Sequence, residues 1–410
     1  MATRRLLPVR LSALLGPDLT GVRQSLVALV LGLLASLIAG LTLGSMSTTL
    51  EELPGLLVLV PAAIGLRGTI FGALGSRLGT AVHTGTFRIT SRVDTVLGQN
   101  VLAAGVLTLA TSVALAVLAK VVAVGFGLTD TISVVDFLAI SILGGILASV
   151  VVLAVTVALA AASTRYNWDP DNVMAPLVTA IGDLVTLPAL YLATLVLDAE
   201  VFVAAVALVG GVGALVAVMA SLRSSYRLLR QIVAESLPVV LVAGVLSLVA
   251  GLTLEGQLDN LAEYPALLAL VPPFLASAGS LGGILSNRLT SKLHLGVMTP
   301  KAFPGYEARA DIVRVYALAI PIFALASLVA DLAAVVVDLR SPGPLDLFLV
   351  ALVGGLLATT AAVGVAYYTA VASFRAGLDP DNVGMPMVTS SIDLVGSLSF
   401  VLAVALVGVG

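Results

Sequence analysis

The chain has 410 residues, of which 59% are hydrophobic and only 10% charged, with a formal net charge of −3 and a mean hydropathy of +1.14. Soluble globular domains carry about 25% charged residues, so the composition excludes an ordinary soluble enzyme, and no nucleic-acid partner is expected. Cysteine is absent, which excludes disulfides and thiolate metal sites, and two histidines argue against a histidine-rich zinc site.

Uncharged runs such as 25–46 and 201–222 are long enough to cross a hydrocarbon core of ~30 Å. Backbone groups cannot go unpaired in lipid, and runs of this length without alternation predict helices rather than barrel strands. The fold class is therefore an all-α polytopic membrane protein. Residues 1–23 carry Arg4, Arg5 and Arg10 but no apolar stretch before Pro17, so they read as a cytoplasmic segment rather than a cleaved signal peptide. Five helices are predicted next, near 24–46, 53–84, 95–126, 133–164 and 172–198. A further apolar run lies near 200–222, and a basic stretch follows it. Five more helices are predicted near 235–255, 264–295, 309–337, 345–376 and 382–409, giving eleven spans.

The two sets of five are copies of each other. "SLVALVLGLLASLIAGLTL" from Ser25 aligns with "SLPVVLVAGVLSLVAGLTL" from Ser236, and "VPAAIGLRGTIFGALGSRLGTAVHTG" from Val60 aligns with "VPPFLASAGSLGGILSNRLTSKLHLG" from Val271. Asp136 and Gly144-Gly145 match Asp346 and Gly354-Gly355. "DPDNVMAPLVTAIGDLV" from Asp169 matches "DPDNVGMPMVTSSIDLV" from Asp379 at eleven of seventeen positions. The expected organisation is a first module at 24–198, a linker helix with a basic loop at 199–234, and a second module at 235–410.

Basic residues fix an expected orientation, because they concentrate on the cytoplasmic side. With the N-terminus inside, the N-terminal segment and the inner connections together hold 18 of the 20 basic residues, counting Arg67, Arg77, Arg88 and Arg92 in the first connection; Lys120 and Arg340 fall outside. The C-terminus is then extracellular. A five-helix module ends opposite its start, and the unmatched helix returns the chain. The copies are therefore expected to be parallel, related by a pseudo-twofold along the membrane normal. One chain imitates a symmetric dimer.

Asp183 lies ten residues beyond Val173, about 15 Å along a helix, and so near mid-bilayer; Asp393 has the same depth in its own copy. An acid at a helix centre costs about 2.5–3.5 kcal/mol on an insertion scale, so such residues default to function. Two carboxylates facing across the pseudo-axis match the charge of one divalent cation. Thr179 and Pro176 share a helix face with Asp183, as Thr389 and Pro386 do with Asp393. Carboxylate, hydroxyl and proline-freed carbonyl oxygens are what hard cations select. The competing reading makes each aspartate a protonated or hydrogen-bonded packing residue.

Asp169, Asp171 and Asn172, with Asp379, Asp381 and Asn382, stand at the starts of the same helices. They read equally as helix caps and as cation contacts at the inner mouth. The second helix of each copy is expected to be broken by Pro61 or Pro272-Pro273, followed by small residues at 65–69 and 276–280. Matched interruptions point to a transport site, and small residues also allow close packing. His83 and His294 read as satisfied interfacial residues, and Arg77 and Arg288 as snorkelling anchors.

The repeated D-P-D-N…P…T…D phrase, preceded by a helix ending "SRLGTA" or "NRLTSK", resembles the MgtE magnesium transporter family. It is most similar to the branch of eukaryotic solute carriers of family 41, in which two membrane modules are fused. The resemblance covers both modules, 24–198 and 235–410. It implies a pore at the module interface, with Asp183 and Asp393 binding hydrated Mg2+, and Mg2+ as both transported and structural or gating ion. Thr69 and Ser280 stand where the family often has an asparagine after its glycines. The soluble regulatory region that bacterial members carry ahead of the membrane part has no counterpart before residue 24, so gating by a cytosolic sensor is not expected.

The resulting expectation is a multi-pass cell-membrane transporter for a divalent cation, Mg2+ foremost, working as one chain and not an enzyme. Its candidate metal contacts are the two mid-membrane aspartates, Thr179 and Thr389, and the six residues of the DPDN turns. Exchange against Na+ or H+ is the alternative within that class. An intramembrane aspartyl protease is a remote alternative, since the two aspartates sit in near-identical contexts.

Overall fold

The computed structural model describes residues 19–90, 92–128, 130–166, 170–376 and 385–409. Among these every regular element is a helix. The first copy contains α1 (Leu19–Ser45), a short α2 (Ser47–Glu52), α3 (Leu56–His83), α4 (Val96–Gly125), α5 (Val134–Tyr166) and α6 (Pro170–Thr194). The unmatched helix is α7 (Glu200–Leu222). The second copy contains α8 (Arg227–Glu255), a short α9 (Leu258–Glu263), α10 (Pro265–His294), α11 (Tyr306–Val336), α12 (Pro344–Ala376) and α13 (Met385–Val407). Ten of these helices are long and apolar enough to cross a membrane, and α1 adds a shorter apolar stretch, Leu29–Ser45.

The predicted helices hold, with two corrections. The helix expected from 235 begins at Arg227, so Arg227 and Arg230 are helical rather than part of a loop. The Gln99 side chain of α4 accepts from the Leu229 backbone N–H at 3.2 Å and helps fix that first turn. The second helix of each copy is not interrupted. Pro61 lies inside a continuous α3, and Pro272 and Pro273 inside a continuous α10. Each of these prolines removes an interior backbone bond, and the helices continue through them.

Helix ends are satisfied locally. The Thr95 hydroxyl accepts from the Gly98 N–H to cap α4. Ser133 and Asp136 exchange bonds at the start of α5, as in a capping box. Lys120, from α4, donates to the carbonyls of Thr131 and Ile132, both at 3.0 Å, and ties down the connection between α4 and α5.

The copies are interlocked rather than side by side. The first helix of each packs on the second helix of the other: α1 against α10, and α8 against α3. The closest approach is the same in both crossings. A Cβ on Gly40 would collide with the Ala269 carbonyl, and a Cβ on Gly251 with the Val58 carbonyl. In the repeat alignment Gly40 corresponds to Gly251 and Val58 to Ala269. The short helices α2 and α9 meet where the copies join. At the start of α3 the Glu255 carboxylate of α8 accepts from the Gly55 N–H at 2.5 Å and the Leu57 N–H at 3.1 Å. The unmatched α7 packs on α4 and α5 and, more lightly, on α8, and leaves most of its apolar surface outward, as a lipid-facing helix would.

Candidate functional site

The interlocking packs α3 on α6 and α10 on α13, and α3 and α10 line one cavity between them. Small residues on the facing sides of α3 and α10 leave space: Gly65, Gly68 and Gly72 on one, Ala276, Gly279 and Gly283 on the other. The result is a cavity of about 550 Å3 shared by both copies. Its lining follows α3 from Val60 to Arg77, which is about 25 Å at 1.5 Å per residue, most of the thickness of a hydrocarbon core.

Asp183, Asp393, Thr179 and Thr389 all line this cavity. Asp183 is buried, and among the described residues no side chain or backbone group bonds to it. Asp393 is held: the Ser247 hydroxyl of α8 donates to it at 2.9 Å. The same carboxylate oxygen lies 3.1 Å from where a Cβ on Gly65 would stand, so α3 of the first copy closes over the aspartate of the second. The equivalent of Ser247 in the first copy is Ser36, which also lines the cavity but donates back to its own helix, to the Gly32 carbonyl at 2.7 Å. Thr179 rests on Gly68 and Gly72 of α3.

Thr69 and Ser280 line the cavity too. Thr69 also bonds back to the Gly65 carbonyl at 3.1 Å. The small-residue stretches therefore serve both readings, close packing and an open path.

Asp169, Asp379, Asp381 and Asn382 lie outside the described residues, and Asp171 and Asn172 are described only as backbone of α6. Among the described residues no three acids or histidines come together as a metal-holding group.

Three basic residues stand differently from expectation. Arg67 does not belong to an inner connection. It lies in the middle of α3 and is 2% exposed. Arg77 is not a free snorkelling anchor, because its Nε donates to the buried Asn100 of α4 at 2.7 Å while the side chain borders the cavity. Arg288 turns to Asp311 of α11, 1% exposed, where Lys292 and Arg314 also converge. Sequence reasoning missed Ser36, Ser247, Asn100 and Asp311. Repeat alignment could have signalled the serines, since both stand on the same face of equivalent helices. Nothing in hydropathy marks which neighbour they meet.

A polytopic helical membrane protein with two interlocked copies, and a cavity between them carrying one carboxylate from each, is the class that fold and site define. Residues 60–193 and 271–403 match the MgtE family, described as divalent cation transporter. The matched segments cover more than half of the chain, which belongs to that family and is a transporter rather than an enzyme. Among curated relatives, solute carrier family 41 member 3 of mouse is 23% identical over 373 residues, covering 85% of this chain and 74% of the relative. Solute carrier family 41 member 2 of Xenopus laevis is 26% identical over 403 residues, covering 91% and 70%. The human member 2 is 25% identical over 371 residues, covering 83% and 62%. No solved structure matches the chain.

Proposed function

We propose that the chain carries Mg2+ across the cell membrane through the cavity between its two copies, with Asp183 and Asp393 as the ion's carboxylates. The observation that supports this most is the single cavity, lined over about 25 Å of α3 and bearing both aspartates and both threonines. Two carboxylates balance one divalent ion. Mg2+ dehydrates reluctantly and keeps several waters. Six waters need about 180 Å3 at roughly 30 Å3 each, so a hydrated ion fits the space. Thr179 and Thr389 offer hydroxyls to those waters. Outer-sphere contact of this kind binds weakly enough for release, which conduction requires.

The N-terminus is cytoplasmic in this reading and the C-terminus extracellular. An inside-negative potential then favours entry by about 4.6 kcal/mol per 100 mV for a doubly charged ion. Mg2+ uptake into proteoliposomes tests the site. Asp183→Ala combined with Asp393→Ala is expected to abolish uptake while the protein remains folded, and wild-type uptake in that variant would sink the assignment. Flux that persists with Na+ and H+ gradients collapsed distinguishes a channel from exchange.

A further inference from the structure

Arg67 has no part in the transport path as described. It follows Leu56, the start of α3, by eleven residues, about 17 Å, which puts a guanidinium half-way through the membrane. It is 2% exposed. Its Nη2 donates to the Ser112 hydroxyl of α4 at 3.2 Å. Its Nε and Nη1 are buried with no hydrogen-bond partner, and among the described residues no carboxylate pairs with it. An uncompensated charge at this depth is costly, and such residues are functional by default.

The second copy shows that the fold does not need a cation there. Arg67 aligns with Ala278, Ser112 with Phe323, and Gly145 with Gly355. A Cβ on Gly145 would overlap the Arg67 guanidinium, and a Cβ on Gly355 would overlap the Phe323 ring. The same slot is thus filled once by a charge and once by an aromatic ring, which Phe274 covers at a centroid distance of 5.1 Å. Volume is supplied either way. What differs is a fixed positive charge.

Arg67 leaves its helix directly behind the ion site and reaches away from the cavity. Its Cβ is 3.7 Å from the Cβ position of Gly182, the residue before Asp183, and its guanidinium lies against Ser112 and Gly145. We propose that Arg67 tunes the affinity of the ion site, its fixed positive charge on the helix behind Asp183 weakening divalent binding enough for the ion to leave. This inference rests on the reading of Asp183 and Asp393 as the ion's carboxylates. Two desolvated carboxylates alone would hold a divalent ion tightly. A fixed unit charge in a buried site repels a doubly charged ion, and about 1.4 kcal/mol of such repulsion lowers affinity tenfold. Buried charges are little screened by salt, so the effect persists at physiological ionic strength.

The test transplants the second copy's solution into the first. Arg67→Ala combined with Ser112→Phe should fold, because it reproduces the Ala278–Phe323 packing. Equilibrium Mn2+ binding to the purified protein and Mn2+ uptake into proteoliposomes are then compared with wild type and with Arg67→Lys. The expected result is half-saturation at about tenfold lower Mn2+ in the double variant, with a lower maximal rate, and near-wild-type values in Arg67→Lys. Unchanged half-saturation in the folded double variant overturns the proposal, as does failure of that variant to fold, which would make the charge structural. Asp183→Asn and Asp393→Asn in the same assay separate the two claims. If they bind and carry Mn2+ like wild type, the site itself is wrong. If they lose it while the double variant is unchanged, only the role of Arg67 falls.

Discussion

The two copies share their backbone contacts and differ in their charges. Gly40 and Gly251 meet equivalent carbonyls in the swapped crossings. At the far ends of the same helices, Arg77 meets the neutral Asn100, whereas Arg288, Lys292 and Arg314 surround the anionic Asp311. Asn100 and Asp311 are equivalent in the repeat alignment, while Lys292 and Arg314 replace Ala81 and Ala103. Close backbone approach tolerates no Cβ and so binds both copies to glycine. A side-chain slot tolerates any filling of suitable volume and satisfied polarity, so the electrostatics are free to diverge. Two interlocked copies in one chain can therefore keep the same backbone contacts and still carry different charges.

The largest break in this comparison should come from Asp311→Ala. It leaves three partly exposed bases around a buried position without their anion and is expected to cost about 3 kcal/mol, read as a lowered thermal midpoint in detergent. Asn100→Ala removes only a neutral acceptor from Arg77 and should cost about 1–2 kcal/mol. Equal losses at the two positions would mean that the charge difference is immaterial to stability.

Gly40→Ala and Gly251→Ala probe the shared part. Each puts a methyl group against a carbonyl in a packed crossing, and each should lower stability by about 1–3 kcal/mol. Their agreement matters more than their size, because unequal effects would show that the two crossings are not equivalent.

Glu255→Ala should cost about 1–2 kcal/mol, since the carboxylate caps two backbone N–H groups at the start of α3. Its counterpart is Gly44, and in the second copy Ala266, the equivalent of Gly55, donates its N–H to the Arg340 carbonyl at 3.1 Å instead. The smallest expected effect is the contrast between Ser247→Ala and Ser36→Ala. The first releases Asp393 and should shift half-saturation for Mg2+ uptake by severalfold, about 1 kcal/mol. The second breaks a bond within its own helix and should leave transport near wild type. Indistinguishable uptake curves for the two serine variants would show that the bond to Asp393 does not tune the ion site.

Much of this was legible beforehand. Val201–Leu222 announced α7 through length and hydropathy alone, and the doubled aspartate phrase pointed to Asp183 and Asp393 through the cost of burying an acid. The proline-marked helices were read as interrupted because a proline removes one backbone bond. In α3 and α10 the helix continues through that loss, because the surrounding turns keep their bonds. Arg67 was grouped with the inner basic residues because a tally of charges by connection ignores depth. Its place eleven residues into an apolar helix, opposite an alanine in the other copy, was the signal that could have separated it.

Sequence by itself determined the membrane class, the doubled module and most helix limits to within a few residues, and it singled out both aspartates. These depend on hydropathy and on rise per residue, which are properties of one segment at a time. Only the tertiary structure decided that α1 and α8 exchange places between the copies, that Ser247 rather than Ser36 reaches an aspartate, and that Arg67 turns away from the cavity toward Gly145. In a bilayer nearly every helix face is apolar, so periodicity does not mark which face meets which neighbour. That choice is settled by close packing between helices, where a single absent Cβ fixes the crossing.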